Sequence, residues 1–216
     1  MSTFMLDLES RPQKNLVDLF MADKVEKAKE KLRKDLEKAE TYKKPETIEK
    51  YKKEANEAFR NAINPAAYNK KLSTDPDFAE VICVGIKPVD GEAQLYSLEE
   101  MEQFFKDNPD PTFVTYNGKK FDLPLIIKAG LKNGLDFPYK KLKDMCKKWN
   151  TNTHHDLMEI ICDGEFKSLD LLLQIYLGIS KKPINFETAT EDEIKEHCLE
   201  DIVNTEKLYK IFIKII

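Results

Sequence analysis

The chain has 216 residues, of which 41% are hydrophobic and 34% are charged, so it can bury a sizeable core while much of it faces water. Seven glycines and ten prolines exclude a collagen-like or low-complexity chain, and the four cysteines form no CxxC pair and no zinc-binding spacing with histidine. A net charge of −4 argues against a purely electrostatic nucleic-acid binder, although bound divalent cations can invert the field of an acidic site.

The first predicted element is a β-strand over residues 2–9, where side chains alternate between two faces. One face carries Phe4, Leu6 and Leu8, and the other carries two acids two residues apart, Asp7 and Glu9. On an edge strand these acids would be an ordinary polar face. In a buried central strand they would be unfavourable without a cation.

Residues 11–72 are predicted to form a helical hairpin inserted after the first strand. Residues 22–61 are rich in Lys, Glu and Ala, and their apolar side chains form two helical stripes. Pro45 suits the first turn of the second helix. Because charges of both signs are interleaved, a solvated pair of helices is favoured over an arm that contacts substrate or a partner.

Further strands are predicted over residues 80–89, 93–98 and 112–117. Helices are predicted over residues 97–108, 121–134, 139–149 and 168–178 and from residue 190 onwards. Residues 155–164 are left unassigned. Asp90-Gly91 is a hairpin turn signal between the first two of these strands. Ser97 and Ser168 are candidate N-caps, and Thr190 with Glu193 has the capping-box pattern. This order predicts an α/β fold, a mixed β-sheet flanked by helices.

Two further acids stand in distinctive contexts. Asp122 follows Asn117 and Phe121 in the segment 117–124, and Asp201 lies in the predicted C-terminal helix. Together with Asp7 and Glu9 they form a set of hard oxygen ligands drawn from distant parts of the chain, which suits a pair of Mg²⁺ or Mn²⁺ ions.

These motifs resemble those of the DEDD superfamily of 3′–5′ exonucleases, which have a ribonuclease-H-like fold. The Asp-x-Glu motif is Asp7 and Glu9, the Asn-x-x-x-Phe-Asp motif is residues 117–122, and the last Asp is Asp201. The chain looks most like a predicted exonuclease branch related to the proofreading domain of family B DNA polymerases. The resemblance covers nearly the whole chain apart from the helical insertion, which implies a single exonuclease domain over residues 1–216.

The resemblance implies that Asp7, Glu9, Asp122 and Asp201 are catalytic and bind two Mg²⁺ or Mn²⁺ ions. It also implies that Leu8, Asn117 and Phe121 contact the terminal nucleotide of the substrate, although core packing explains Phe121 equally well.

The chain departs from the family pattern at His197. It precedes Asp201 by four residues, the spacing of the subclass that has tyrosine, yet it carries the histidine of the other subclass. Residues i and i+4 share a helix face, so we expect His197 to lie beside Asp201 and to act as a catalytic base. The alternative is a surface histidine in a protein that has lost activity.

Other polar residues are less informative. Lys181 and Lys182 are either phosphate contacts or plain loop lysines. Neighbouring strand residues face opposite ways, so His154, His155 and Asp156 cannot all serve one site. We retain Asp156 as a weak candidate for supporting the site and assign neither histidine.

The predicted function is a metal-dependent 3′–5′ exonuclease that releases nucleoside 5′-monophosphates. Single-stranded DNA is the favoured substrate; RNA, or a catalytically silent nucleic-acid-binding protein on the same fold, is the alternative. A replication or repair partner is not identified by the sequence. Without a signal peptide or a membrane-length apolar run, we expect a soluble cytoplasmic protein with no membrane partner.

Overall fold

The computed structural model describes residues 2–163 and 165–215. Within them, the strands are β1 (Thr3–Pro12), β2 (Ala79–Pro88), β3 (Gln94–Tyr96), β4 (Thr112–Thr115) and β5 (His154–Asp156). The α-helices are α1 (Lys14–Ala39), α2 (Pro45–Ala62), α3 (Asn69–Ser73), α4 (Met101–Asp107), α5 (Asp122–Lys132), α6 (Tyr139–Met145), α7 (Leu157–Cys162), α8 (Leu169–Leu177) and α9 (Glu191–Phe212). Among the described helices, none is long and apolar enough to cross a membrane.

The strands form one mixed sheet in the order β3-β2-β1-β4-β5. β4 runs parallel to β1, with Phe4 opposite Phe113, and β5 runs parallel to β4. β3 pairs antiparallel with β2. The predicted mixed sheet is therefore confirmed, and β1 is its central strand, which explains why Met5, Leu6 and Leu8 are all at most 2% exposed.

Helices cover both faces of this sheet. On one face, Phe4 and Phe113 pack against the aromatic rings of Phe104 and Phe105 in α4. On the other face, Met5 and Val114 belong to a buried cluster with side chains of α7, α8 and α9. Because side chains alternate along β1, the odd-numbered acids Asp7 and Glu9 lie on the α9 side.

The chain divides into two compact units. Arg11–Ala79 form one, and the residues up to Ser10 together with those from Glu80 onwards form the other. The first unit contains the antiparallel helices α1 and α2, with Pro45 in the first turn of α2 as expected. Ion pairs such as Lys27–Asp23 and Arg33–Glu37 run along the exposed surface of α1, which fits the interleaved charges of its sequence.

Several predicted caps are present. The Ser168 hydroxyl accepts a hydrogen bond from the Leu171 N–H, and Gly178 ends α8 with φ of 66°. Thr190 and Glu193 form a full capping box at the start of α9. The unassigned segment begins within β5, which is followed without a loop by α7 with Asp156 as the N-cap; its last residue, Gly164, lies outside the described residues.

Candidate active site

Asp7 and Glu9 project from β1 into a crowded group of acids. Burial, followed by the negative charge of Asp201, raises the pKa of Asp7 from 3.8 to about 8. Burial and then the charges of Asp7 and Asp201 raise the pKa of Glu9 to about 10. Burial disfavours the charged forms and the neighbouring carboxylates add to that effect, so Asp7 and Glu9 favour the protonated, neutral form near neutral pH.

Asp122 joins the group from the first turn of α5. It is 2% exposed, and its carboxylate accepts a hydrogen bond from the Leu8 backbone N–H, which connects α5 directly to β1. Burial, then the charges of Asp7 and Asp156, raise its pKa well above the usual value. The Leu8 side chain is itself buried, so its backbone is the part that borders the site.

The loop from Asn117 to Phe121 that leads into α5 is held by Asp156. The Asp156 carboxylate accepts hydrogen bonds from the backbone N–H groups of Asn117 and Lys119, each at 3.0 Å. Asn117 has φ of 67°, in the left-handed region that asparagine tolerates. Its buried Oδ1 has no hydrogen-bond partner. Asp156 therefore positions the loop by binding its backbone N–H groups.

A buried glycine completes that turn. The Gly118 N–H donates to the Thr115 hydroxyl at 3.1 Å, and a Cβ at position 118 would overlap the Thr115 side chain. Only glycine fits at this position.

A buried ion pair also supports the loop. Lys119, 6% exposed, forms a short ion pair with Glu159 of α7. The second Glu159 oxygen accepts the backbone N–H of Trp149 at 3.0 Å. Trp149 has φ of 61° and an indole ring that is 55% exposed. The loop is thus linked through Glu159 to the segment that follows α6.

Asp201 and His197 lie one turn apart on α9. His197 Nε2 is 3.8 Å from Asp201 Oδ2, as the i,i+4 spacing predicts. Burial lowers the pKa of His197, and the nearby Asp201 opposes that shift.

The Phe121 side chain, which precedes α5, is half-buried.

The ammonium group of Lys181 is a positive charge close to the acids. Its ammonium forms a short ion pair with Asp201 Oδ2, with both side chains about one-sixth exposed or less, and its positive charge lowers the pKa of Asp7 and of Glu9. The Lys181 backbone N–H donates to Asp170 of α8 at 2.8 Å, which fixes the loop that carries it. The sequence leaves Lys181 as a phosphate contact or a plain loop lysine, and its pairing with Asp201, 20 residues away, depends on the tertiary fold.

The donor chemistry of the site fits a divalent cation. All four acids offer hard oxygen ligands, and the buried Asp201 Oδ1 has no partner. Among the described residues, however, no group of three or more His, Cys, Asp or Glu side chains is arranged to hold a metal ion. The four carboxylates are near one another, but they do not surround a common metal position, and Lys181 is paired with Asp201.

Two thiols lie near the acids, between β2 and α9. The Cys198 Sγ of α9 is 3.9 Å from the Asp7 carbonyl oxygen, and it hydrogen-bonds with the Cys83 thiol of β2. Both are free and buried, and they fill the space between helix and sheet as small apolar groups. A Cβ at Gly85 would lie 2.8 Å from the Cys198 Sγ, so α9 packs closely on β2 here.

The two histidines left unassigned do not join the acids. His154 is fully buried, with Nδ1 3.1 Å from the Met145 carbonyl oxygen and Nε2 2.8 Å from the Thr115 hydroxyl. Nδ1 donates to the carbonyl, so Nε2 accepts from Thr115 and the ring is neutral. His155 stacks on Tyr209. The two hydrogen bonds of His154 give it a structural role.

A sequence model of predicted 3′–5′ exonucleases related to the exonuclease domain of PolB matches residues 77–215. The chain belongs to this family. The match contains Asp122, His197 and Asp201, whereas Asp7 and Glu9 precede it. Membership confirms the predicted relationship to family B polymerase exonucleases.

A solved structure has a similar fold. The family B DNA polymerase from the hyperthermophilic archaeon Pyrobaculum calidifontis superimposes with a TM-score of 0.57 at 14% sequence identity. The alignment covers 99% of this chain and 24% of the polymerase, so the chain spans about a quarter of that protein's length. At this identity the likeness shows a shared fold. No curated protein sequence matches the chain.

Proposed function

We propose that the chain is a metal-dependent 3′–5′ exonuclease that hydrolyses single-stranded DNA and releases nucleoside 5′-monophosphates. The observation that carries the proposal is the convergence of Asp7, Glu9, Asp122 and Asp201, from three distant segments, at one place beside His197. Acids crowded in this way are unfavourable for folding, which indicates a functional reason for their position.

Asp7, Glu9, Asp122 and Asp201 would hold two Mg²⁺ or Mn²⁺ ions. When bound, such ions lower the pKa of a water and stabilise the charge on the phosphate and on the leaving oxygen. Asp201 pairs with Lys181 through Oδ2 and has a buried Oδ1 without a partner, so a bound ion would either share this carboxylate with the ammonium or replace the ammonium.

His197 is proposed as the base. Its ring lies beside Asp201 on the same helix face, so a nitrogen can accept the proton of an attacking water next to the acids. Lys181, once released from Asp201, is proposed to contact a substrate phosphate. Asp156 is assigned a supporting role, because its carboxylate accepts the backbone N–H groups of Asn117 and Lys119.

The choice of DNA rests on the related polymerase, which acts on DNA by its name. RNA stays the alternative substrate, because among the described residues no side chain is identified as a reader of the 2′-hydroxyl.

The decisive experiment measures how fast 5′-labelled single-stranded DNA and RNA are shortened from their 3′ ends in the presence of Mn²⁺. We compare wild type with Asp7→Asn, and use Asp107→Ala, an exposed acid of α4, as the matched control. Asp7→Asn should lower the rate at least about 100-fold, as loss of a ligand or its support does, while Asp107→Ala should not.

Three outcomes would contradict the proposal in different ways. Activity that survives Asp7→Asn removes the metal-site assignment. Cleavage of a circular single strand indicates an endonuclease. A wild-type protein that binds the strand and never cleaves it is the catalytically silent alternative. Activity unchanged in His197→Ala would remove only the assignment of the base.

A further inference from the structure

The segment that contains α6 and the residues directly after it is strongly basic. Residues 139–149, which we call the basic segment, contain five lysines and one acid, although the whole chain has a net charge of −4. Two of the lysines are paired with nearby acids. The other three are exposed and make no ion pair in the part of the chain that the structure describes: Lys140, Lys143 and Lys148. This surface can therefore attract an anionic partner.

Trp149, the last residue of the basic segment, has two unfavourable features. Its indole is 55% exposed, whereas tryptophan is mostly buried on average. Its φ of 61° lies in the left-handed region, where a bulky side chain is rarely found. The Lys148 ammonium lies 4.9 Å from the centre of the indole ring, so a cation and an aromatic face are presented together. An exposed side chain on a strained backbone indicates a functional constraint.

A buried carboxylate joins Trp149 to the loop that leads into α5. Glu159 accepts the Trp149 N–H with one oxygen, at 3.0 Å, and pairs with the Lys119 ammonium through the other. Burial raises the pKa of the Cys146 thiol, and the positive charges of Lys143 and Lys119 oppose that shift. The basic segment therefore lies next to this loop.

The same end of the sheet carries the acids. β1, β4 and β5 run parallel, so their carboxyl ends meet at one end of the sheet. Asp7 and Glu9 follow the part of β1 that pairs with β4, and α7, which carries Glu159, follows β5. A single strand whose 3′ end lies at the acids can therefore run along this end of the sheet towards Trp149.

The combination of groups favours a single strand of nucleic acid over an acidic protein segment. Lysines attract either partner. An exposed indole adds affinity for a chain in which flat bases alternate with phosphates, because each base has a face that can stack on an aromatic ring.

We propose that the basic segment, with Trp149 at its end, is a second contact surface that binds single-stranded nucleic acid upstream of its 3′-terminal nucleotides. The inference rests on the proposed exonuclease function, because that function places the 3′ end at the acids. One base stacks on Trp149, and the three lysines without an ion pair contact phosphates. Such contacts carry no sequence information, so the surface favours long strands over short ones whatever their sequence.

The first test measures binding of a labelled single strand to the full chain in EDTA, so that no cleavage is needed. Trp149→Gly removes the ring and relieves the strain of positive φ, which separates loss of stacking from backbone strain. For a strand of about 15 nucleotides, Trp149→Gly should raise Kd about 5- to 100-fold, the range of one lost base–aromatic stack. Trp149→Phe should largely restore binding. The control is Tyr176→Ala, an exposed aromatic residue that packs against Phe212, at the end of α9 remote from His197.

Strand length and salt separate this surface from the acids. With Mn²⁺, Trp149→Gly should raise KM for the long strand and leave KM for a dinucleotide unchanged, because a dinucleotide held at the acids does not extend to the ring. Lys143→Ala should reduce the slope of log Kd against log salt concentration by about 0.7, the effect of one lost phosphate contact on a single strand. Lys214→Ala, an exposed lysine after α9, should leave the slope unchanged.

The possible failures can be told apart. If Trp149→Gly binds the long strand as Tyr176→Ala does, or loses the dinucleotide equally, the inference is overturned while the exonuclease stands. Binding of a polyglutamate peptide as tightly as the strand would assign the surface to an acidic protein and also overturn it. A wild type that binds through Trp149 and never cleaves would refute the proposed function and support the surface.

Discussion

At the scale of single residues, the site is defined by an imbalance of charge. Asp7 and Glu9 have pKa values raised to about 8 and 10, and Lys181 is the cation that opposes both shifts. A bound divalent ion would do the same more strongly. If the acids bind a metal ion as proposed, Lys181 and that ion would compete for Asp201.

This competition predicts a tighter metal site when the lysine is removed. In Lys181→Met, Asp201 loses its ion-pair partner, so we expect Mn²⁺ affinity to rise about 10-fold, roughly the effect of one charge contact in a partly buried site. Titration calorimetry with Mn²⁺ measures it. The exposed neighbour Lys182→Met is the control and should bind Mn²⁺ as wild type does. Weaker or unchanged binding in Lys181→Met would show that the two do not compete.

A second residue-scale prediction concerns acid stability. Burial lowers the pKa of His154 from 6.5 to about 3, so between these values the unfolded chain binds more protons than the folded one. The stability contributed by neutral His154 is complete above pH 6.5 and is lost as pH falls towards 3.

His154→Gln removes that titration and keeps one donor and one acceptor. Urea midpoints measured at pH 7 and pH 4.5 should differ less in His154→Gln than in wild type. The carboxylates with raised pKa values act in the opposite direction, but they are common to both proteins and cancel in the comparison. Equal pH dependence in the two proteins would refute the neutral, structural His154.

Sequence predicted some of these residues and not others, for a physical reason. Asp7, Glu9, Asp122 and Asp201 stand in local motifs, so their approach could be expected from their order. The Lys181–Asp201 pair and the burial of His154 depend on contacts between segments that the tertiary fold brings together. Local sequence patterns do not predict such contacts.

At the scale of elements, α9 is the helix that places His197 and Asp201. Its start is fixed by the Thr190 capping box. Further along, Glu206 forms a buried ion pair with Lys87 of β2 at 2.7 Å and accepts the Asp90 N–H. The turn of α9 that carries His197 and Asp201 lies between the capping box and the Glu206 contacts.

Removing the cap should affect stability more than catalysis. Thr190→Ala loses the hydroxyl that accepts the Glu193 N–H, and we expect about 1 kcal/mol less free energy of unfolding. His197 is two turns further on, so kcat should stay near wild type. Thr188→Ala, an exposed threonine of the preceding loop, is the control for chemical denaturation. A large loss of kcat at unchanged stability would place Thr190 in the catalytic machinery instead.

Elements with complete local signals were predictable, and short ones were not. The capping box and the Ser168–Gly178 pair mark helix ends in the sequence itself. β5 has three residues and passes directly into α7, with Asp156 as both the last strand residue and the cap. Its strand character comes from pairing with β4, which no local pattern reveals.

At the scale of the whole molecule, every candidate catalytic residue lies in the unit that contains the sheet. Arg11–Ala79 form the other compact unit. The two ends of that unit meet, since the Gln13 N–H donates to the Phe78 carbonyl oxygen at 2.8 Å. A short turn could therefore join β1 to β2.

We predict that replacing residues 14–77 with a short Gly/Ser turn leaves a folded protein whose kcat for single-stranded DNA is within about threefold of wild type, a change below 1 kcal/mol. Thermal unfolding and the Mn²⁺-dependent assay check both parts. The same deletion carrying Asp7→Asn is the inactive control. A folded but inactive deletion would assign substrate contacts to the helical unit.

The single tryptophan of the chain has a practical consequence. Trp149 emits alone when indole is excited selectively, and its backbone is joined through Glu159 to the loop that carries Asn117. With its ring 55% exposed, its emission is open to quenchers from solvent. Movement of that loop when a strand end enters should change the emission, so the unlabelled protein carries its own optical probe of substrate arrival.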